Sequence, residues 1–322
     1  MATVLSDDRF HNEEAAFAYV EAQLWPNGPV CPHCGAMGDK IGRLTGVRSK
    51  PSKKHPDGVV QVGLRKCYAC RKPFTVRMGS IFEDSHLPLR MWLQTIHLLC
   101  ASKKRISTRQ LQRMLGCGMK TAWFLGHRIR HAMAPGDDVG PLGGAGKTVE
   151  ADETEIARSR KTRRPADFRR SRDNPKVLSL VERGGDVRSV TLDHRSIGAH
   201  LYDRVRRDSR LVTDKGQSYK FPPVAEHESV DHSKFEWARG DVHTNTPEGF
   251  FSIFKRGLIG VCQHVDKKHL DRYLAEFDFR QNTRARLGIN DVERAALAIR
   301  AAKGKRLSYT RPSSDEAEAQ PF

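Results

Sequence analysis

Two sets of residues in this 322-residue chain have the types and spacing for chemistry: paired cysteines near the front and acids spread through the second half. Four of the seven cysteines form two C-x-x-C pairs, Cys31-Pro32-His33-Cys34 and Cys67-Tyr68-Ala69-Cys70. Two such turns can present four thiolates tetrahedrally, the arrangement that a structural Zn2+ takes. Thirty-two residues separate Cys34 from Cys67. That exceeds the usual spacer of roughly 15–20, but the Lys/Pro/Gly-rich stretch over 50–58 suits an extended loop. A redox pair or unrelated thiols are the alternatives to a zinc ribbon. His33, inside the first turn, reads as a bystander. Cys100, Cys117 and Cys262 have no partner spacing and read as small apolar packing residues.

Metal-assisted phosphoryl transfer needs carboxylates that converge on a site about 4 Å across. Mg2+ or Mn2+ binds through a few of them and keeps water and substrate oxygens as further ligands. Acids at strand positions or helix starts are therefore the candidates. Asp152 lies in Val149-Glu150-Ala151-Asp152-Glu153-Thr154, where Glu150 shares its parity and Glu153 points the other way. Asp214 ends Leu211-Val212-Thr213-Asp214. Glu248 follows Thr246-Pro247, a capping residue and a first-position proline, and so falls in the first turn of a helix. Lys255 comes seven residues later, nearly two turns, and shares that face. Phe250, Phe254 and Leu258 form an apolar stripe that can dock on a sheet. Taken singly, each of these residues is more often a solvated strand end or helix face; the agreement of context at all three acids gives the set its weight.

The elements that must position these residues change character along the chain. Residues 12–24 read as a short amphipathic helix with Ala16, Phe17, Val20 and Leu24 on one face. Val59 to Gly63 and Phe74 to Met78 read as strands flanking the second cysteine pair. Residues 89–133 are helical in pattern, with a Gly116-Cys117-Gly118 turn between a first helix and a basic second one. That is a helix-turn-helix arrangement in which Lys120 and Arg128 are the expected DNA contacts; a plain structural helical unit is the alternative. Pro135 to Gly146 is a Gly/Pro-rich linker.

Beyond the linker, strands are expected at Val149–Ile156, Val177–Arg183, Val187–Leu192 and Arg210–Asp214, with a Gly184-Gly185 hairpin turn. Helices are expected at Ser196–Arg206, Pro247–Leu258 and Lys267–Phe279. This order predicts an α/β fold, an RNase-H-like mixed sheet with helices, preceded by a small zinc ribbon and a helix-turn-helix-like segment. The expected domains are residues 1–85 (helix and ribbon), 86–135 (helical DNA-binding segment), 147–285 (catalytic domain) and 286–322 (a basic helix and then a disordered Ser/Glu/Pro tail).

Lys and Arg total 56 against 38 Asp and Glu, a formal net charge of +18. A surplus of that size favours a polyanionic partner, nucleic acid or an acidic membrane surface. Arg158 to Arg172 holds eight Lys or Arg and one acid, Asp167. Its Arg163, Arg164, Arg169 and Arg170 are candidates for gripping DNA phosphates, against a solvated loop as the alternative. No stretch reaches the roughly 18 apolar residues of a membrane span. Met1 to Phe10 lacks a signal-peptide core, and an odd cysteine count does not suit a secreted disulfide framework. A soluble, cytoplasmic, nucleoid-associated bacterial protein is expected, with no membrane partner.

Several segments resemble the ISXO-type insertion-sequence transposases: Val149 to Thr154, Thr213-Asp214, Asp231-His232-Ser233, His243 to Gly257, Lys268-His269-Leu270 and Glu276 to Asn282. The resemblance covers roughly residues 14–284 and is most specific around Glu248. It implies a zinc ribbon joined to a DDE-type RNase-H-like domain, with Asp152, Asp214 and Glu248 as magnesium ligands and Lys255 as an added basic residue. It implies an enzyme that binds the ends of its element on double-stranded DNA, as a homo-oligomer, cuts phosphodiesters with two Mg2+ ions and transfers the 3′ ends to target DNA. Two positions depart from the family pattern. Glu155-Ile156-Ala157-Arg158 replaces an aromatic-Gly-Gly run, and Asp231 stands where an Asn usually precedes His-Ser. A DNA-binding regulator without activity and a metal-dependent nuclease are the rival functions.

Overall fold

The computed structural model describes residues 3–53, 55–136, 139–156, 174–193, 195–216, 219, 222–262 and 265–307. The chain divides into two compact units, one of Met1–Leu93 with Ile299–Phe322 and one of Gln94–Ala298. No helix among the described residues is long and apolar enough to cross a membrane.

In the first unit, helix α1 (Glu13–Leu24) starts where the Asn12 side chain accepts hydrogen bonds from the Glu14 and Ala15 N–H groups. It buries Ala16, Phe17, Val20 and Leu24, the face expected from their spacing. A three-stranded antiparallel sheet follows: β1 (Ile41–Arg43), β2 (Arg65–Cys67) and β3 (Pro73–Phe74). The expected strand over Val59 to Gly63 does not form. Gly58 and Gly63 both sit at positive φ, and Val59 and Val60 remain exposed, so the segment has no face to bury. It pairs only through an isolated bridge from Arg48 to Val60. The strand bearing the second cysteine pair is Arg65–Cys67 instead, and β3 ends at Phe74 rather than running to Met78.

Helix α2 (Leu89–Ala101) carries the chain into the second unit, where α3 (Thr108–Leu115) and α4 (Met119–Met133) follow. The Ser107 hydroxyl caps α3, and Gly116, at φ 61°, ends it in the left-handed conformation that glycine adopts without steric cost. This is the helix-turn-helix-like segment. Most of α4 is nevertheless a core helix: Leu125 to Arg130 are all buried.

The central sheet holds β4 (Thr148–Glu155), β5 (Lys176–Glu182), β6 (Val187–Thr191), β7 (Arg210–Asp214) and β8 (Glu226–Val230) in the order β6-β5-β4-β7-β8. The first three strands form an antiparallel meander. After α5 (Ile197–Arg204), β7 and β8 join parallel to β4. An antiparallel start, a helical crossover and two parallel strands make this an RNase-H-like mixed sheet. Strand β8 is absent from the sequence reading. Its residues, Glu226-His227-Glu228-Ser229-Val230, offer one buried apolar side chain and no alternation, as a strand at a sheet edge can.

Alternation along the strands separates two cores. On one face Val149, Ala151, Leu178 and Leu180 pack with Leu201 and Val205 from the region of α5. On the other, Val177, Val181 and Val187 pack with residues of α6 (Asn245–Gly257) and α7 (Leu270–Asn282). Phe250, Phe254 and Leu258 are buried in this second core, so the expected apolar stripe docks on the sheet. Helix α8 (Asp291–Arg300) follows α7.

Candidate active site

The register of the central strands decides which acids meet. Glu150 lies beside Val212 and Ala151 beside Thr213 on the parallel neighbour, so one step further Asp152 and Asp214 fall on the same face of adjacent strands. Strands so paired run about 5 Å apart. Asp152 is half-buried, and its carboxyl is pushed up to about 7, first by burial and then by the charges of Glu153, Glu248 and Asp214. The N–H of Glu153, donating to Asp152 Oδ1 at 2.8 Å, opposes this rise without overcoming it. Asp152, Asp214 and Glu248 therefore share one electrostatic locality in which negative charges accumulate, the condition that a divalent cation relieves. Their oxygens are not gathered as tightly as the cysteine sulfurs. Among the described residues, only the four cysteines bring three or more ligating atoms within 4.8 Å of one another.

Glu248 reaches this face from α6, which starts two residues earlier than its sequence suggests. Thr244, not Thr246, is the N-cap residue, and Thr246 lies inside the first turn. The reason is a non-local acceptor. The fully buried carboxylate of Glu150, on the Asp152 face of β4, accepts the Thr246 N–H at 3.1 Å. The same carboxylate receives Arg183 Nε at 2.6 Å and lies 3.6 Å from His243 Nδ1. Arg183 in turn donates to the carbonyls of Asp241 and His243. Strand β4 is thus tied to the entry of α6 by one buried acid, and Pro247, still in the first turn, removes no helical hydrogen bond. Thr244 Oγ1 donates to Glu248 Oε1 at 3.3 Å.

His232, to which no local sequence pattern assigns a role, sits between two of the acids. Its Nδ1 lies 3.9 Å from Asp214 Oδ2 and its Nε2 lies 4.0 Å from Glu248 Oε1. It stands in the turn just after β8, the strand that the sequence did not reveal. Glu153 faces away, as its parity requires, and accepts from the buried Tyr219 hydroxyl. Lys255 is half-buried on α6, about 10 Å along the axis from Glu248, and makes no ion pair among the described residues.

The cysteine pairs do converge. Cys31 Sγ lies 3.7 Å from Cys70 Sγ, and Cys34 Sγ lies 3.6 Å from Cys67 Sγ. A tetrahedron of thiolates about 2.3 Å from zinc has edges of about 3.8 Å, so the donor set fits that ion. Cys31, Cys67 and Phe74 form the small core of the ribbon, with Trp25 edge-on to Phe74. Cys100 is buried, whereas Cys117 and Cys262 are partly so.

Of the expected DNA contacts on the helical segment, Lys120 is exposed but Arg128 is not. Arg128 is 5% exposed, with its guanidinium over the Phe124 ring, and so is not presented to a ligand at the surface. Near the end of α4, Arg130 joins a buried ion network. Arg130, Arg105 and Arg280 surround the fully buried Glu276 at 2.7, 3.4 and 2.7 Å. Arg109 and Arg113 of α3 and Lys120 of α4 are among the exposed cations of this segment. Arg163, Arg164, Arg169 and Arg170 lie outside the described residues.

Comparison with known proteins matches both halves of this architecture. Residues 11–73 match the transposase zinc-ribbon domain, and residues 141–282, from just before β4 to the end of α7, match the ISXO2-like transposase domain. Over 295 residues the chain is 28% identical to an uncharacterized protein in transposable element ISH50 of Halobacterium salinarum, covering 84% of this chain and 92% of that relative. With the ribbon in front and the mixed sheet behind, in that order, the chain carries both a transposase zinc-ribbon domain and an ISXO2-like transposase domain.

Proposed function

We propose that this transposase binds the ends of its own element, cuts a phosphodiester there and joins the freed 3′ end to target DNA, with Asp152, Asp214 and Glu248 holding Mg2+ or Mn2+. The observation that carries the reading is the convergence of three acids from β4, β7 and α6 on one sheet face, with Glu150 fixing the helix that bears the third. When bound, the divalent ions supply the Lewis acidity that phosphodiester cleavage and transfer require. The chain's own groups do the positioning. Asp152 and Asp214 are held by adjacent strands, so their separation is set by the sheet rather than by flexible loops. Glu248 is oriented by Thr244 and by the fixed start of α6. In this reading Lys255, further along that helix, offsets the charge of a phosphate beside the acids. No side chain at this site needs to form a covalent intermediate.

The four cysteines hold a structural zinc in this reading, and residues 1–135, with the basic segment over 158–172, supply the grip on DNA. The reading is tested by incubating the full-length protein with Mg2+, DNA carrying the repeats that flank the element, and a target plasmid. Joined products support it. Cutting without joining would point to a nuclease, and retarded but uncut DNA would point to a regulator.

A further inference from the structure

The turn after β8 carries an exposed aromatic pair that packing does not explain. Phe235 is 81% exposed and Trp237 is 58% exposed. Phe235 also occupies the left-handed region at φ 59°, where a bulky side chain is strained. Neither burial of the ring nor a glycine-like requirement of the sequence compensates for that strain. The conformation follows from the turn, in which the Phe235 N–H donates to the His232 carbonyl at 3.1 Å. It holds the ring out into solvent.

The position of the pair gives it a meaning. The Trp237 ring lies 4.8 Å from the His232 ring, tilted by 40°. His232 in turn reaches Asp214 and Glu248 at 3.9 and 4.0 Å. One imidazole therefore separates the indole from two of the acids proposed to act on a phosphodiester. The acids of this turn are engaged. Glu236 is paired with Arg239, and it accepts the Asp231 N–H. Asp231 itself is paired with Lys215. Lys234 is exposed next to Phe235 and makes no ion pair among the described residues. Two open π-faces and a cation beside a phosphodiester site match one ligand chemistry, a nucleotide whose base has left the duplex stack. Bases stack on aromatic side chains largely without regard to sequence, while a neighbouring cation takes the phosphate.

We propose that Phe235 and Trp237 form a stacking shelf for an unpaired nucleotide next to the phosphodiester held at Asp152, Asp214 and Glu248. The shelf favours DNA that is frayed or single-stranded at that point over an uninterrupted duplex. This inference rests on the assignment of the carboxylate site to DNA cleavage.

The test uses the full-length protein with two probes of random sequence carrying 2-aminopurine, one single-stranded and one fully paired. Wild type is expected to quench the single-stranded probe on binding. Trp237→Ala and Phe235→Ala are expected to weaken single-strand binding about ten-fold each and to leave duplex binding unchanged. Trp237→Tyr, which keeps a π-face, should restore most of the affinity. Phe235→Gly relieves the strained φ, so it should fold at least as well as wild type and still lose the stacking. Unchanged single-strand affinity in the alanine variants overturns the proposal, as does an equal loss on both probes. Self-association of wild type that Trp237→Ala abolishes, seen by sedimentation, would assign the rings to a protein interface and also overturns it. Cleavage of element ends, measured in parallel on the same preparations, separates the outcomes. A wild type that cuts but shows no shelf effect refutes the shelf alone, whereas a wild type that binds DNA without cutting refutes the catalytic assignment.

Discussion

Glu150 is the residue whose loss would say most about how the acids are assembled. It is fully buried and is held by Arg183 at 2.6 Å and by the Thr246 N–H at 3.1 Å. Glu150→Gln keeps the volume and one hydrogen-bonding oxygen but removes the charge. Breaking a fully buried ion pair costs about 3–5 kcal/mol. The Arg183 side chain is 25% exposed, and water can partly compensate it, so about 2 kcal/mol is the expected loss, near the value of one charge-assisted hydrogen bond. A transition-midpoint drop of a few degrees for each kcal/mol follows in thermal unfolding. The functional effect should be larger than the stability loss implies. The same carboxylate anchors the start of α6, and a displacement of about 1 Å in a reacting group can cost on the order of a hundred-fold in rate. Cleavage of element-end DNA, assayed well below the melting temperature, should fall ten- to a hundred-fold with gel-shift affinity unchanged. A variant that melts lower but cleaves normally would refute the positioning role, and one that melts and cleaves as wild type would refute the network itself.

Three further outcomes follow from the structure. Purified protein should hold one zinc per chain, and Cys31→Ser with Cys67→Ser should release it and unfold the ribbon, since metal binding and folding are coupled in such domains; metal analysis and circular dichroism check this, and full metal retention contradicts it. Burial alone would raise the Glu276 carboxyl, but Arg105, Arg130 and Arg280 hold it down at about 2. Its ionised form therefore stabilises the fold above the ordinary glutamate value of 4.5, and that contribution is lost as pH falls from there towards 2. Glu276→Gln should lower stability by about 3–5 kcal/mol at neutral pH and flatten the acid limb of a urea-denaturation series; an unchanged acid limb argues against the network. Replacing Arg163, Arg164, Arg169 and Arg170 with Ala should reduce the slope of log affinity against log salt by up to roughly 3–4, and an unchanged slope shows that this basic segment does not touch phosphate.

The sequence was most legible where one local rule controlled the outcome. The cysteine spacing foretold the clustered sulfurs, and the strand parity around Asp152 set Glu150 apart from Glu153. The spacing of Phe250, Phe254 and Leu258 gave the buried face of α6. Where a distant partner intervened, local rules failed. Thr246 looked like a cap, but its N–H is taken by Glu150, ninety-six residues earlier. Arg128 looked like a surface cation on a basic helix, yet packing buries that part of α4. Strand β8 escaped notice because its polar residues carry no alternation, and His232, placed just beyond it, went without a role. The Val59–Gly63 strand was expected from β-branched residues alone and does not form between two glycines at positive φ.

The central claim, that Asp152, Asp214 and Glu248 together form the cutting site, is tested most directly by their isosteric neutral variants. Asp152→Asn, Asp214→Asn and Glu248→Gln each keep shape and remove charge. Strand cleavage in Mg2+ on element-end DNA should fall by orders of magnitude in all three, while gel-shift binding survives and Glu153→Gln, on the opposite face, cleaves nearly as wild type. Near-normal cleavage by the Asp214→Asn protein would contradict the assignment.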